Sequence, residues 1–303
     1  MFYKTIKKPF SLWQKILIQT ILILCLFSVS HTAQSAETEV LPKDSKIIVI
    51  GGALTEIVFA LDAQDRIIAR DMTSTYPEAA KALPDIGYMR ALSAENVLSL
   101  APKGILLVDG SGPKTTIDIL EKASVPMVIV PESFSRDGVI NKVRSVGKAL
   151  MLEDKAEELI AKLNDDFNKT DELTAKVTEK KKILFVLSVQ NGRVMAAGSN
   201  TAADGIIKLA GAENAITGFE GYKLLNDEAL LAAKPDMILS MSPFPGRPVT
   251  TQLTDLPAVR ATPAAKNNMI KDMEGLYLLG FGPRTAAAAR DVAELLYGPN
   301  QLK

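Results

Sequence analysis

Residues 95–106 align without a gap on residues 228–239: Glu95, Leu98, Pro102, Ile105 and Leu106 fall on Glu228, Leu231, Pro235, Ile238 and Leu239. Each copy reads as a short helix, a proline that stops it and a buried strand. An earlier pair repeats the design, with Ile57-Val58 leading to Ile67 as Ile206-Ile207 lead to Ile216. The offset is larger in the earlier pair, so the first copy holds extra residues, among them a loop around Tyr76 and a turn-rich stretch from Pro84 to Met89. A duplicated helix–strand unit constrains the fold strongly. It implies an α/β chain of two pseudo-symmetric lobes with mainly parallel sheets and a shared cleft, with ligands gathering beyond the carboxyl ends of the strands.

Taken in order, Ile47 to Ile50 is a short apolar run ended by Gly51-Gly52, as for a buried parallel strand entering a helix. Strands at 66–70, 104–108 and 126–130 follow, with helices between them, and bound a first lobe at 45–134. Residues 135–179 lack proline, carry many charges and space Leu159, Ile160, Leu163 and Phe167 helically, so they read as a long connecting helix, interrupted near Leu152 to Asp154. Alternation resumes at Lys182, opening a second lobe at 180–303. The Gly51-Gly52 turn lacks the third glycine and the Lys-Ser/Thr of a nucleotide cradle.

Residues 1–35 read as a cleavable signal peptide: Lys4, Lys7, Lys8 and Lys15 precede the apolar run Ile16 to Val29, and small residues follow at Ala33 and Ser35. Cys25 sits behind Leu24, too large a neighbour for a lipidated cysteine, so no lipid anchor is expected. The only histidine, His31, and the only cysteine, Cys25, leave with this segment. An exported chain of this kind has no disulfide, no Ser-His-Asp or Cys-His catalysis and no histidine-rich metal site. It also loses four of 35 basic residues and none of 35 acidic ones, a mildly acidic balance that gives no footprint for nucleic acid.

The segment Asp71 to Ala80 places Tyr76 directly before Pro77 on a short polar loop. Proline biases its predecessor away from the α region, so Tyr76 should be the last extended residue before a helix whose first turn carries Pro77 and Glu78. The loop either aims a phenol into the cleft or holds an ordinary half-buried aromatic.

Together, the leader, the two helix-linked lobes, Gly51-Gly-Ala-Leu-Thr-Glu56, Ser74-Thr-Tyr76-Pro-Glu-Ala79, Gly87-Tyr-Met-Arg90 and Gly280-Phe-Gly-Pro-Arg284-Thr285 resemble the haem-binding periplasmic proteins of bacterial haem ABC importers. These belong to a wider set of helix-linked carriers for siderophores and vitamin B12. The resemblance spans nearly all of the mature chain. It implies a periplasmic, monomeric carrier, not an enzyme, that takes ferric haem as transported ligand and passes it to an inner-membrane permease with its ATPase. A carrier of the same architecture for a ferric siderophore or a corrinoid is the alternative.

In that family a tyrosine on the loop matching Tyr76 is the axial iron ligand. The chemistry agrees, since a phenolate is a hard anionic donor suited to ferric iron and can replace histidine on haem. Arg90 and Arg247 are candidates for stabilising the phenolate or pairing with haem propionates; each is otherwise a surface cation. Without a histidine from the other lobe, the expectation is one haem with five-coordinate iron, Tyr88 or Tyr222 being the less favoured sixth ligands. Met72, Met241, Phe244 and Phe134 either cover the porphyrin faces or belong to the core. Arg284 either ties down the last helix or touches ligand, and Glu95 and Glu228 either dock the permease or simply start helices.

Overall fold

β1 (Ile47–Ile50), β2 (Ile67–Arg70), β3 (Gly104–Val108) and β4 (Met127–Val130) form one parallel sheet in the order β2-β1-β3-β4. The computed structural model describes residues 40–242, 250–298 and 302; the leader read at 1–35, Phe244 and Arg247 lie outside them. The central strands β1 and β3 are buried at every residue, which is why they read as unbroken apolar runs. Helix α1 (Gly52–Ala60) follows β1, α2 (Ala94–Leu98) precedes β3, and α3 (Lys114–Lys122) joins β3 to β4. Ser93 caps α2, its hydroxyl accepting from the Asn96 amide at 3.4 Å.

The second sheet contains β5 (Lys182–Gln190), β6 (Arg193–Ala197), β7 (Glu213–Asn214), β8 (Tyr222–Leu224), β9 (Met237–Ser242) and β10 (Ile270–Glu274). Its parallel part runs β7-β5-β9-β10, reproducing the order β2-β1-β3-β4 of the first sheet. The repeat seen in the sequence is thus a repeat of strand order. What the second lobe adds is antiparallel: β6 folds back on β5 through Asn191-Gly192, both at positive φ (51° and 75°), and β8 pairs with β6. Asn-Gly is the pair that a two-residue turn of this kind favours, because both positions are left-handed. Helices α4 (Arg136–Leu150) and α5 (Glu153–Thr174) connect the lobes. The second lobe carries α6 (Ala202–Leu209), α7 (Asp227–Ala233), the short α8 (Thr250–Asp255), α9 (Pro257–Arg260) and α10 (Pro263–Lys266), then α11 (Gly275–Leu279) and α12 (Thr285–Tyr297).

The connector is two helices, broken at Met151, which is left-handed at φ 58° and ψ 46°. They pack so closely that a Cβ on Gly147 would lie 2.4 Å from the Ala156 methyl. Arg136 bonds Asp171 at 2.8 Å, and both Asn164 and Asn168, fastening the start of α4 to the far half of α5. α5 is fastened in turn to the second lobe, where the Thr170 hydroxyl donates to the Ala286 carbonyl at 3.1 Å. Ala286, Ala288, Ala289 and Ala293 are buried there, the small side chains allowing α12 to come close. Alternation on β5 and β9 separates two cores. Ile183, Phe185, Met237 and Leu239 join a core that runs through α4 and α5 to β1 and β3, whereas Leu184, Val186 and Ile238 face a smaller one within the second lobe.

Candidate functional site

The Tyr76 loop is built on Asp71, which directly follows β2 and is fully buried. Its carboxylate accepts from the Gly51 amide (2.9 Å), the Thr73 amide (3.0 Å), the Thr73 hydroxyl (2.7 Å) and the Ser74 hydroxyl (2.9 Å). An ionised carboxylate only accepts, and four donors satisfy it inside the protein. The Ser74 hydroxyl also meets that of Thr55 at 2.8 Å, and the Gly52 amide donates to the Thr73 hydroxyl at 3.1 Å. The loop is therefore fixed to the turn that follows β1. Its outer side lies along residues 84–87, with the Met72 amide donating to the Gly87 carbonyl at 2.9 Å.

Tyr76 emerges from this base with 46% of its surface exposed. The Tyr76–Pro77 peptide is cis. The expected helix is only a 3-10 turn from Glu78 to Ala82, with Pro77 just before it. Leu83 precedes Pro84, which turns the chain to extended backbone (ψ 147°) before an α-helix can be completed.

The cation that meets Tyr76 comes from the other lobe. The Arg284 guanidinium carbon lies 3.8 Å from the Tyr76 ring centroid and 5.0 Å from that of Tyr277. Arg284 also makes a bidentate pair with Glu56 on α1, Nε to Oε2 at 3.0 Å and Nη2 to Oε1 at 2.6 Å. Burial pushes the Glu56 carboxyl above its ordinary value, opposed by the hydrogen bond and charge of Arg284. Burial alone would lower the Arg284 guanidinium, and Glu56 overrides this to raise it. Tyr277 donates to Asp291 at 2.8 Å, and its phenol is held above its ordinary value, first by burial and then by that acceptor.

Glycines allow the two motifs to meet. A Cβ on Gly52 would lie 2.5 Å from the Leu276 side chain, and one on Gly282 would lie 3.3 Å from Ala53. Glu274 caps α11 through the Leu276 and Tyr277 amides at 3.0 and 2.6 Å, and accepts from the Thr75 hydroxyl at 3.4 Å. The 51–56 and 280–285 motifs thus form a seam between the lobes, with Tyr76 against its edge. Deeper in the seam, Lys142 on α4 has no exposed side-chain surface and donates to Glu132 (2.6 Å) and to the carbonyls of Phe281 (3.0 Å) and Gly280 (3.5 Å). Burial lowers this ammonium and raises the Glu132 carboxyl, each shift opposed by the partner's charge.

The remaining sequence candidates separate into groups. Arg90 donates to the Tyr88 hydroxyl at 2.8 Å, and Tyr88 and Met72 are each 39% exposed. Tyr222 is half-buried, its phenol raised by burial and drawn back by the Thr201 hydroxyl and by the Arg90 charge, which reaches it across the lobes. Phe134 packs edge-on to Phe281 with centroids 5.3 Å apart, and Met241 packs against the main core. Glu95 and Glu228 are exposed in the first turns of α2 and α7. The sequence reading missed the Glu56–Arg284 pair and Lys142. A signal existed for both: Glu56 is the one charged side chain in α1, and Lys142 falls on the face of Val139, Val143 and Val146. Among the described residues, no group of three or more His, Cys, Asp or Glu side chains is placed to hold a metal ion.

A family model described as periplasmic binding protein matches residues 47–275. The solved structure of the periplasmic heme-binding protein BhuT, in complex with two hemes, is 36% identical, covering 86% of this chain and 99% of that one with a TM-score of 0.78. An uncharacterised ABC transporter substrate-binding lipoprotein, YvrC of Bacillus subtilis strain 168, is 23% identical over 270 residues, 88% of this chain and 84% of its own. The vitamin B12-binding protein of Vibrio vulnificus strain YJ016 is 22% identical over 273 residues, 90% and 94% of the two chains.

Proposed function

The chain belongs to the periplasmic binding protein family, and from that premise we propose that it is an exported, monomeric carrier that binds one ferric haem between its lobes through Tyr76. It delivers that haem to an ABC import permease and its ATPase, and it performs no reaction. The observation that carries the reading is Tyr76 itself: a half-exposed phenol on a loop fixed by the buried Asp71. A chain whose one histidine lies in its leader has tyrosinate as its hard anionic donor for ferric iron. The likeness to a heme-binding protein along nearly the whole chain supports the same ligand. Arg90, exposed and beside Tyr88, offers a cation to a propionate. Residues 1–35 supply the export signal and are removed.

A corrinoid carrier is the second reading, supported by the vitamin B12-binding relative at lower identity. The deciding experiment is an absorbance titration of the mature protein with hemin, beside its Tyr76→Ala variant and a parallel vitamin B12 titration. One-to-one binding with a phenolate-to-iron charge-transfer band, absent from the variant, is expected. Two haems per chain would overturn the single-haem reading, an unchanged band in the variant would remove Tyr76 as ligand, and binding of vitamin B12 alone would transfer the assignment to corrinoids.

A further inference from the structure

We infer that Glu56 and Arg284 are positioning residues for Tyr76: the buried carboxylate fixes the plane of the guanidinium, and the guanidinium face fixes the ring that bears the phenol oxygen. This rests on the reading of Tyr76 as the iron ligand and goes beyond it, because neither residue has to touch the haem. Among the described residues, the Tyr76 hydroxyl has no hydrogen-bond partner, so the 3.8 Å stacking contact is what orients the side chain. Arg284 is suited to that task. Its Nε and Nη2 are both engaged by Glu56, a two-point grip that removes rotation about the fork and leaves the flat face free. Tyr277, held by Asp291, stands 5.0 Å from the same guanidinium and completes the setting. Glu56 is 5% exposed and sits on α1, whose first residues are tied to the Tyr76 loop through Gly52 and Thr55. One carboxylate thus relates the ligand loop of the first lobe to the last helix of the second.

A seam that merely joins the lobes would need the ion pair and not the stacking, and this difference can be measured. Four forms of the mature protein are compared with wild type by hemin titration and thermal melting: Glu56→Gln, Arg284→Lys, Arg284→Glu, and the exchanged pair Glu56→Arg with Arg284→Glu. Arg284→Lys keeps a charge for Glu56 but loses the planar fork. It is expected to bind hemin about tenfold more weakly, the scale of one partly desolvated cation–π contact, with a displaced charge-transfer band. Glu56→Gln should shift the band in the same direction. The exchanged pair should regain melting temperature over Arg284→Glu alone without regaining the band. Lower melting temperatures with hemin affinity and band unchanged in Arg284→Lys would overturn the inference, as would recovery of the band in the exchanged pair. If Glu56→Gln does not fold, Arg284→Lys decides alone. Absence of the band from wild type is a separate result that removes the ligand reading, and it is known before any variant is made.

Discussion

Lys142, with no side-chain surface exposed, donates to the carbonyl of Phe281, 139 residues further along the chain, at 3.0 Å. Its other strong partner is Glu132 at 2.6 Å, so one ammonium holds a carboxylate of the first lobe and a backbone turn of the second. Lys142→Met should therefore leave a half-buried carboxylate and two carbonyls without their donor. The expected loss is about 3 to 5 kcal/mol in urea unfolding, the range for breaking one side of a buried pair. A variant as stable as wild type would show that the seam does not depend on this charge.

Gly147 offers a test of the connector. Alanine is ordinarily the better helix former by about 1 kcal/mol, yet its Cβ here would lie 2.4 Å from that of Ala156. Gly147→Ala is expected to destabilise the protein by about 1 to 3 kcal/mol, the cost of overpacking. Adding Ala156→Gly should return part of the loss, and the cycle is read from unfolding midpoints. A stabilised Gly147→Ala would mean that the two helices separate readily.

Stability at high pH should report on Tyr277. Burial and Asp291 hold its phenol above the ordinary value of 10.0. Above about pH 10 the unfolded chain releases this proton while the folded chain keeps it, so the folded state binds more protons there. The contribution of Tyr277 is complete below that pH and is lost as pH rises. Between about pH 8 and pH 11, wild type should lose more stability than Tyr277→Phe. Parallel urea-midpoint profiles for the two proteins would contradict the raised phenol.

Arg90→Ala separates propionate binding from phenolate support. Its hydrogen-bonded partner is Tyr88, and the cation on the Tyr76 ring is Arg284. Hemin affinity is expected to fall about tenfold, the scale of one charge-assisted hydrogen-bonded pair, with the charge-transfer band in place. Loss of the band would make Arg90 a partner of the iron ligand instead.

The lobes were legible because the helix, proline and strand of residues 95–106 recur at 228–239, and because strand order follows from such units. The caps at Ser93 and Thr201 are local features of the same kind, each hydroxyl accepting from an amide three residues on. The β5–β6 hairpin was not, although Asn191-Gly192 carries the turn chemistry, because β5 reads as a buried parallel strand in its first half and becomes antiparallel only near its end. Tyr76 was singled out through its loop, and its cation was sought at Arg90 in the first lobe and Arg247 in the second. The ring meets Arg284 of the second lobe, a pairing set by topology that no local pattern carries.

Glu56 and Arg284 are 228 residues apart, so the seam joins nearly the first helix to nearly the last. Chains generally fold from the N-terminus as they are made, and the Asp71 network can form with the first lobe alone. The guanidinium that faces Tyr76 arrives only when the final helix begins. Completion of the setting of Tyr76 is thereby made to wait for completion of the chain, and a truncated or stalled product keeps its tyrosine without the guanidinium that stacks on it.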